Sequence, residues 1–97
     1  MNKTMNTEIA TTIISQFGRR FPQMVGLKNA VAIDGGVQFG FAKGHYGINK
    51  VAITLNAMDT YDIMFYKMGR AIISLNGIYA DQLGTEFEAA TGLFTHL

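Results

Sequence analysis

Apolar side chains recur at helical spacing near the start of the chain. Ile9, Ile13 and Phe17 follow one another at intervals of four residues. This spacing places them on one face of an amphipathic helix. The pattern predicts a helix over residues 6–17 that ends at Gly18, because glycine readily adopts the left-handed conformation found after a helix C-terminus.

From residue 29 to residue 76 the apolar period changes to two. The alternating apolar residues are all odd-numbered: Val31, Ile33, Val37, Phe39, Phe41, Val51, Ile53, Leu55, Tyr61, Ile63, Phe65, Ile73 and Leu75. Alternation of this kind is typical of strands with one buried face. We therefore predict five short antiparallel strands whose odd-numbered side chains share the buried face.

The parity of these positions also constrains the turns, because shifting a strand by one residue moves its side chains to the opposite face. The predicted cross-strand pairs are Val31–Phe39, Ile33–Val37, Ile53–Ile63 and Phe65–Ile73. Pairing the first two strands in this way requires a three-residue loop at positions 34–36 rather than a two-residue Asp-Gly turn. The later pairs centre on Met58 and on Gly69.

A second helix is predicted over residues 80–91, ending at Gly92. Its apolar stripe consists of Leu83, Phe87, Ala90 and Phe94. Both helices are expected to cover the odd-numbered face of the sheet. The predicted fold class is α+β, a two-layer sandwich in the order helix, five-stranded antiparallel sheet, helix.

The even-numbered strand residues form the second face of the sheet, and they are unusual for a solvated surface. Met64, Tyr66 and Ile72 lie there among small residues. Methionine and tyrosine are enriched at interface cores, so this face is a candidate docking or dimer surface. Two plainer interpretations stay open: a solvent face with scattered apolar groups, or burial under the loop of residues 42–50.

Composition limits the domain count and the location. The 97 residues fit one domain, 1–97, in which residues 1–5 are expected to be loosely ordered. Apolar residues make up 48% of the chain and charged residues 15%, which favours some apolar surface outside the core. The chain has no cysteine, no secretory apolar segment and no membrane-length apolar run. We expect a cytoplasmic protein with no membrane partner.

Charge is unevenly distributed along the chain. Residues 1–58 carry six basic and two acidic side chains, a net of +4, whereas residues 59–97 carry two basic and five acidic side chains, a net of −3. The two halves are therefore able to complement each other, within one molecule or between copies.

The segment of residues 43–50 holds the largest group of side chains suited to binding. Lys43 and Lys50 suit phosphates, and Tyr46 can stack on a base. An ordinary hairpin loop with solvated lysines is the simpler interpretation, since no phosphate-loop spacing is present. Arg19 and Arg20 form a second basic point, although they also suit the C-terminal end of the first helix.

The sequence does not nominate a catalytic, cofactor or metal site. Asp59 and Asp62 are three residues apart around a predicted turn, where an Asx bond from Asp59 is a more ordinary role than acid–base chemistry. His45 and His96 have no metal-ligand spacing. We therefore expect no cofactor and no enzymatic activity.

Several stretches resemble a group of small phage proteins. They are MVGLKN at residues 24–29, LNAMDTYDI at 55–63, DQL at 81–83 and TGL at 91–93, together with Phe87. The likeness spans most of the chain and is to proteins of unknown function encoded by phages, prophages and other mobile elements. The resemblance implies an accessory protein that blocks a component of a bacterial host, such as a CRISPR effector. It carries over no catalytic residue.

Our leading hypothesis is a non-enzymatic protein that binds a host protein or complex, or pairs with itself as a homodimer. The residues assigned to this contact are Met64, Tyr66, Ile72, Lys43, Tyr46 and Lys50. The first alternative is a nucleic-acid-binding protein whose contacts are Arg19, Arg20, Lys28, Lys43 and Lys50, with the steep salt dependence that counterion release produces. The second alternative is a small hydrolase or transferase, which only a deep pocket with converging polar groups would support.

Overall fold

The computed structural model describes residues 7–17, 26–41 and 47–92 and has the predicted α+β architecture. The elements in chain order are α1 (Thr7–Ser15), β1 (Lys28–Ile33), β2 (Gly36–Gly40), β3 (Lys50–Leu55), β4 (Tyr61–Lys67), β5 (Arg70–Ile78), a 3₁₀ turn (Ala80–Gln82) and α2 (Leu83–Thr91). The five strands form one antiparallel sheet in the order β1-β2-β3-β4-β5, a simple meander. Within the described residues, neither helix has the length and apolarity that a membrane span needs.

Both helices pack on the same face of the sheet and enclose one core. The buried residues from α1 and α2 include Ile13, Phe17, Leu83 and Phe87. Phe87 lies at the centre, with ring centroids 5.7 Å from Phe17, 6.5 Å from Phe39, 5.0 Å from Phe41 and 6.0 Å from Phe65. The pairs with Phe17 and Phe41 are edge-to-face, the arrangement that aromatic quadrupoles favour. This aromatic cluster joins the helical layer to the sheet.

The alternation of buried and exposed positions is confirmed for β2, β3 and β4, except at Leu55, which ends β3 and is 36% exposed. The odd-numbered residues Val37, Phe39, Val51, Ile53, Tyr61, Ile63 and Phe65 are all buried, and Ile73 and Leu75 of β5 pack against them. The predicted pairs Ile53–Ile63 and Phe65–Ile73 are also present. Since these residues contact the helices, the even-numbered positions of the same strands face away from the core.

The register predicted for β1 is wrong. Ile33 pairs with Gly36 and Val31 with Gln38, so the connection is the two-residue turn Asp34-Gly35. Ala32 faces the core instead, while Val31 is 50% exposed.

The cause of the different register is the close approach of β2 to β3 at Gly36. A Cβ added to Gly36 would collide with the carbonyl oxygen of Ile53 and lie 2.8 Å from the Cα of Thr54. Gly36 is therefore needed inside the strand, where the absence of a side chain lets the backbones approach. Gly35, with φ of 73°, supplies the left-handed residue that the shortened turn requires.

The β3–β4 and β4–β5 hairpins also differ in detail from the prediction. In the β3–β4 loop Asn56, and not Asp59, makes the Asx bond: its Oδ1 accepts from the Met58 N–H at 2.8 Å. The β4–β5 turn contains two residues, Met68 and Gly69, both with positive φ. Lys67 pairs with Arg70 across it, and a bulge restores the predicted pairing farther from the turn.

The C-terminal end of α2 agrees with the sequence-based prediction, although its first turn, Ala80–Gln82, is a 3₁₀ turn. Gly92 has φ of 74° and donates its N–H to the Glu88 carbonyl at 2.8 Å, which ends α2. The first helix is shorter than predicted, although hydrogen bonds from Gln16 and Phe17 continue its last turn. Gly18, Phe94 and residues 1–5 lie outside the described residues.

Candidate binding site on the outer face

We call the sheet face opposite the two helices the outer face, and cross-strand pairing arranges it in three rows. The lysine row is Lys28, Gly40, Lys50, Tyr66 and Ala71. The middle row is Val31, Gln38, Ala52, Met64 and Ser74. The aspartate row is Ile33, Gly36, Thr54 and Asp62. Each row crosses the sheet from β1 towards β5, so the face runs from basic, through apolar and neutral, to acidic.

A β-bulge in β1 places Lys28 on this face. The ladder to β2 skips Asn29 and Ala30, so Lys28 pairs with Gly40. If the register at Val31 continued without a bulge, Lys28 would lie opposite Phe41, whose side chain is in the core. The bulge therefore keeps a cation out of the apolar core and brings it beside a glycine. The left-handed conformation of Asn29, with φ of 55°, accompanies this bulge.

Three of the residues predicted to bind a partner lie next to one another. The Lys50 Nζ lies 5.0 Å from the centroid of the Tyr66 ring, a cation–π contact. The Tyr66 hydroxyl lies 3.8 Å from the Met64 sulfur, a weak donor–acceptor contact. These contacts hold the lysine and the ring against the sheet, which lowers the conformational entropy that a partner must remove on binding.

The apolar side chains of the outer face are only partly covered. Met64 is 38% exposed, and Ile72, at the bulge in β5, is 41% exposed. Val31 adds an apolar residue that the parity argument had assigned to the core. Lys43 and Tyr46, the other two residues predicted to bind a partner, lie outside the described residues, as do Arg19, Arg20, His45 and His96.

A cleft of about 410 Å³ opens at the lysine row. Lys28, Gly40 and Lys50 line it, together with the side chains of Asn29 and Asn49 at its rim. Because Gly40 has no side chain, the space between the two lysines is left open. The described lining contains no acidic residue, so the cleft is cationic in character.

Charge sorts by the ends of the sheet rather than by the halves of the sequence. We call the end where β1, β3 and β5 begin the basic end. All four lysine and arginine residues within the described ranges lie there: Lys28, Lys50, Lys67 and Arg70. We call the opposite end the acidic end, and it holds Asp34, Asp59 and Asp62, with Glu8 beside Leu55 and Tyr61.

The net charges of the two sequence halves conceal this sorting of charge between the two ends of the sheet. Lys67 and Arg70 belong to the acidic half of the sequence yet lie at the basic end, while Asp34 does the reverse. Antiparallel strands alternate in direction, so the start of one strand and the end of the next lie at the same edge. The predicted strand boundaries therefore already contained the signal.

The polar groups at the acidic end hold a loop together. The Asn56 Nδ2 donates to the Thr60 Oγ1 at 2.8 Å and to the Asp62 Oδ1 at 3.0 Å. The Asp62 Oδ1 also accepts from the Gly77 N–H at 3.3 Å. These bonds assign Asn56 and Asp62 a structural role in connecting the β3–β4 loop to β5.

No group of three or more histidine, aspartate or glutamate side chains that could hold a metal ion occurs within residues 7–17, 26–41 and 47–92. Comparisons with models of protein families, with curated proteins and with solved structures find no match to this chain. The functional argument therefore proceeds from the geometry of the outer face.

Proposed function

We propose that this protein is a non-enzymatic binding protein that docks on another protein through the outer face of its sheet. One observation supports this most directly. Val31, Met64 and Ile72 expose apolar surface on the face that lies opposite both helices. Met64 and Ile72 lie on the neighbouring strands β4 and β5, whereas Val31 lies on β1, separated from Met64 by Gln38 and Ala52. Apolar surface of this kind is stabilised when a second molecule removes it from water.

The apolar contacts alone do not account for a stable complex. Complete burial of a valine, methionine or isoleucine side chain is worth about 1.5–3 kcal/mol. Since the three side chains are already about half buried, covering them contributes roughly 2–4 kcal/mol. A micromolar complex requires about 8 kcal/mol. The remainder has to come from other contacts, and the neighbouring lysine row is the obvious source.

This reasoning defines the chemistry of the partner. Its surface is apolar opposite Met64 and carries carboxylates opposite Lys28 and Lys50, because complementary charge raises the association rate and sets the orientation. The resemblance to proteins of mobile elements would make that partner a host protein. A role as an inhibitor of host defence, including CRISPR effectors, rests on that resemblance.

The proposal is non-catalytic because the most developed polar network among the described residues has a structural explanation. Asn56, Thr60 and Asp62 hydrogen-bond with one another and hold the β3–β4 loop. A docking role needs only a surface of defined shape and charge, which a rigid antiparallel sheet provides.

Site-specific crosslinking tests the proposal. A photoreactive amino acid in place of Ser74, in the middle row, is expected to crosslink a host protein in cells. The same amino acid in place of Met58, which is 81% exposed in the β3–β4 loop, serves as the control. The crosslinked protein is then purified and its affinity for the full chain is measured by calorimetry.

Matched charge variants then assign the contact to the outer face. Met64→Asp is expected to weaken the reconstituted complex at least tenfold, because it places a carboxylate in the apolar contact and beside the partner's carboxylates. Met58→Asp, the same substitution in the loop, is expected to leave the affinity unchanged. Equal affinities for the two variants would contradict docking through this face.

A second copy of the chain is the alternative occupant of the outer face. Size-exclusion chromatography coupled to light scattering distinguishes a homodimer from a monomer that binds a different protein. If the wild-type chain is a dimer that Met64→Asp converts to a monomer, the outer face is a homodimer interface and the host-protein proposal is wrong. A monomeric wild-type chain leaves the face open for the heterologous partner.

A further inference from the structure

We propose that the cleft of the lysine row is a binding site for a phosphate-bearing ligand. The observation that carries this inference is the sequence of neighbours Lys28, Gly40 and Lys50 across three strands. Two cations flank a position that has no side chain. The same arrangement lines the cleft of about 410 Å³, which is within the usual size range of small-molecule sites.

The geometry lets both lysines reach one anion. Adjacent strands are separated by roughly 4.8 Å, so the backbones of Lys28 and Lys50 are about 10 Å apart. A Cβ on Gly40 would lie 3.5 Å from the Lys28 Cγ and from the Lys28 carbonyl oxygen. The stem of Lys28 therefore runs close along Gly40. The Lys50 ammonium lies over the Tyr66 ring on the side of β4, and its flexible stem lets it turn towards a group held above the glycine.

The charge distribution favours an anion at this position. Lys67 and Arg70 lie at the same end of the sheet, whereas Asp34, Asp59 and Asp62 lie at the other end. Both lysines line the cleft, and the described lining includes no carboxylate that could pair with them. A bound anion would supply the missing negative charge and gain from the field of the whole basic end.

Phosphate fits the site better than a single carboxylate. A phosphate group has several acceptor oxygens and can accept from two lysines on opposite sides at once, and lysine binds it as a point charge. Asn29 and Asn49 also line the cleft, and an asparagine amide is a neutral hydrogen-bond donor for such a ligand. A bulge beside the site, here at Asn29 and Ala30, is a common way to orient a side chain towards a ligand.

Tyr66 bears on the source of the phosphate. Its ring is the next residue of the lysine row and is already in contact with Lys50. An aromatic ring beside a basic groove can stack on a base, which inorganic phosphate does not have. A nucleotide and a single-stranded nucleic acid are the two sources compatible with this arrangement.

This inference and the proposed docking both use Lys28 and Lys50, so a phosphate in the cleft would compete with the partner's carboxylates. The tests still distinguish them. Docking is tested with Met64→Asp and a protein partner, whereas the cleft is tested with small probes on the isolated chain. Failure of the probes to bind would leave the Met64 result standing, and an unchanged affinity of Met64→Asp for the partner would leave the probe result standing.

Titration of the full chain followed by amide NMR tests the site. The probes are sodium pyrophosphate, adenosine diphosphate and a 12-nucleotide oligothymidylate, added in a phosphate-free buffer of low ionic strength. The expected result is a saturable shift of the Gly40, Asn29 and Asn49 amides. Tighter binding of the diphosphate nucleotide than of pyrophosphate identifies a nucleotide site. Tighter binding of the oligonucleotide, with affinity that falls as salt rises, identifies nucleic acid.

Charge variants separate a defined site from general attraction to the basic end. Lys28→Gln and Lys50→Gln are each expected to weaken the tightest probe about tenfold, as expected for loss of a charged hydrogen bond. Lys67→Gln removes the same charge at the same end but outside the cleft lining, and it should weaken binding less than threefold. Equal losses for Lys67→Gln and Lys28→Gln would overturn the proposal, as would the absence of any shift at Gly40 with all three probes.

Filling the cleft gives an independent check. Gly40→Val introduces methyl groups between the lysines without changing charge, and it is expected to abolish probe binding. Circular dichroism establishes whether this variant folds. If it does not, Gly40→Ala replaces it, because a Cβ there meets its neighbours only at ordinary contact distances of 3.5 Å. Undiminished binding by a folded Gly40→Val variant would place the ligand elsewhere and overturn the proposal.

Discussion

The same substitution, glycine to alanine, is expected to have opposite effects on stability at two positions of β2. Gly36 and Gly40 both lie on the outer face and both pair with residues of β3. At Gly36 an added methyl group would collide with the Ile53 carbonyl oxygen, and the Thr54 Cα would be only 2.8 Å away. At Gly40 the nearest atoms are 3.5 Å away, which is ordinary van der Waals contact. We therefore expect Gly36→Ala to destabilise the protein and Gly40→Ala to be tolerated.

The magnitude follows from overpacking and from backbone entropy. Overpacked sites lose about 1–3 kcal/mol. The upper part of that range applies to Gly36 because both obstructing atoms belong to the backbone of β3 and cannot rotate away. Alanine lowers the entropy of the unfolded chain, which returns about 0.4–1 kcal/mol at either site. Starting from the upper end of the overpacking range, about 3 kcal/mol, the net expectation is a loss of roughly 2–2.5 kcal/mol for Gly36→Ala, and a gain of about 0.5 kcal/mol is expected for Gly40→Ala.

Urea unfolding followed by circular dichroism measures both values, and thermal unfolding provides a second readout. For a domain of this size 1 kcal/mol corresponds to about 4–8 °C in Tm, so Gly36→Ala should melt roughly 10–20 °C below the wild type. Equal urea midpoints for the two variants would refute the reasoning. That result would mean that Gly36 does not lie close to β3 and belongs to a longer β1–β2 loop.

Two further substitutions test the loops. Asn56→Ala removes the side chain that hydrogen-bonds to Met58, Thr60 and Asp62. In urea unfolding it should lower the free energy of unfolding by about 1–3 kcal/mol. The control is Asn76→Ala, at an exposed position of β5, which should change the free energy of unfolding by less than about 0.5 kcal/mol. A similar loss for both variants would show that the Asn56 network contributes nothing specific. Met68→Asn creates an Asn-Gly turn at a residue with φ of 54°, and by calorimetry it should raise Tm by a few degrees, about 0.5–1 kcal/mol, because asparagine tolerates the left-handed region better than methionine. Met58→Asn is the control, since Met58 is equally exposed but does not have a positive φ; an unchanged or lower Tm for Met68→Asn would contradict this assignment of strain.

The strands that could be predicted from sequence are those with an uninterrupted alternation. Ile53, Ile63 and Phe65 have the pairing that their parity requires, because the β3–β4 ladder that contains them is regular. Val31 and Ile33 have the same parity but lie on the outer face. Parity predicts which residues of one strand share a face. It does not predict which face a strand at the edge of the sheet presents, because the length of one turn, here two residues rather than three, reverses the relation.

The candidate site was predictable in the same partial sense. Met64 and Tyr66 were identified from their even positions, and their contact with Lys50 follows from the β3–β4 register, which was correct. The pairing of Lys28 with Gly40 was not predictable, since it depends on the bulge at Asn29 and Ala30. No residue type at those two positions signals a bulge strongly, although asparagine does tolerate the left-handed backbone found there.

The two-residue turn that overturns the parity argument for β1 also accounts for the bulge beside the proposed site. A regular ladder through β1 would satisfy more backbone hydrogen bonds, but with the observed turn it would direct Lys28 opposite Phe41 in the core. Burying an unpaired lysine ammonium costs far more than leaving one bulged residue unpaired in the ladder at the edge of the sheet. The cation therefore favours the bulge, and the bulge places Lys28 across Gly40 from Lys50. A neutral residue at position 28 would also give a stable edge strand. Folding alone therefore does not require the two-lysine cleft.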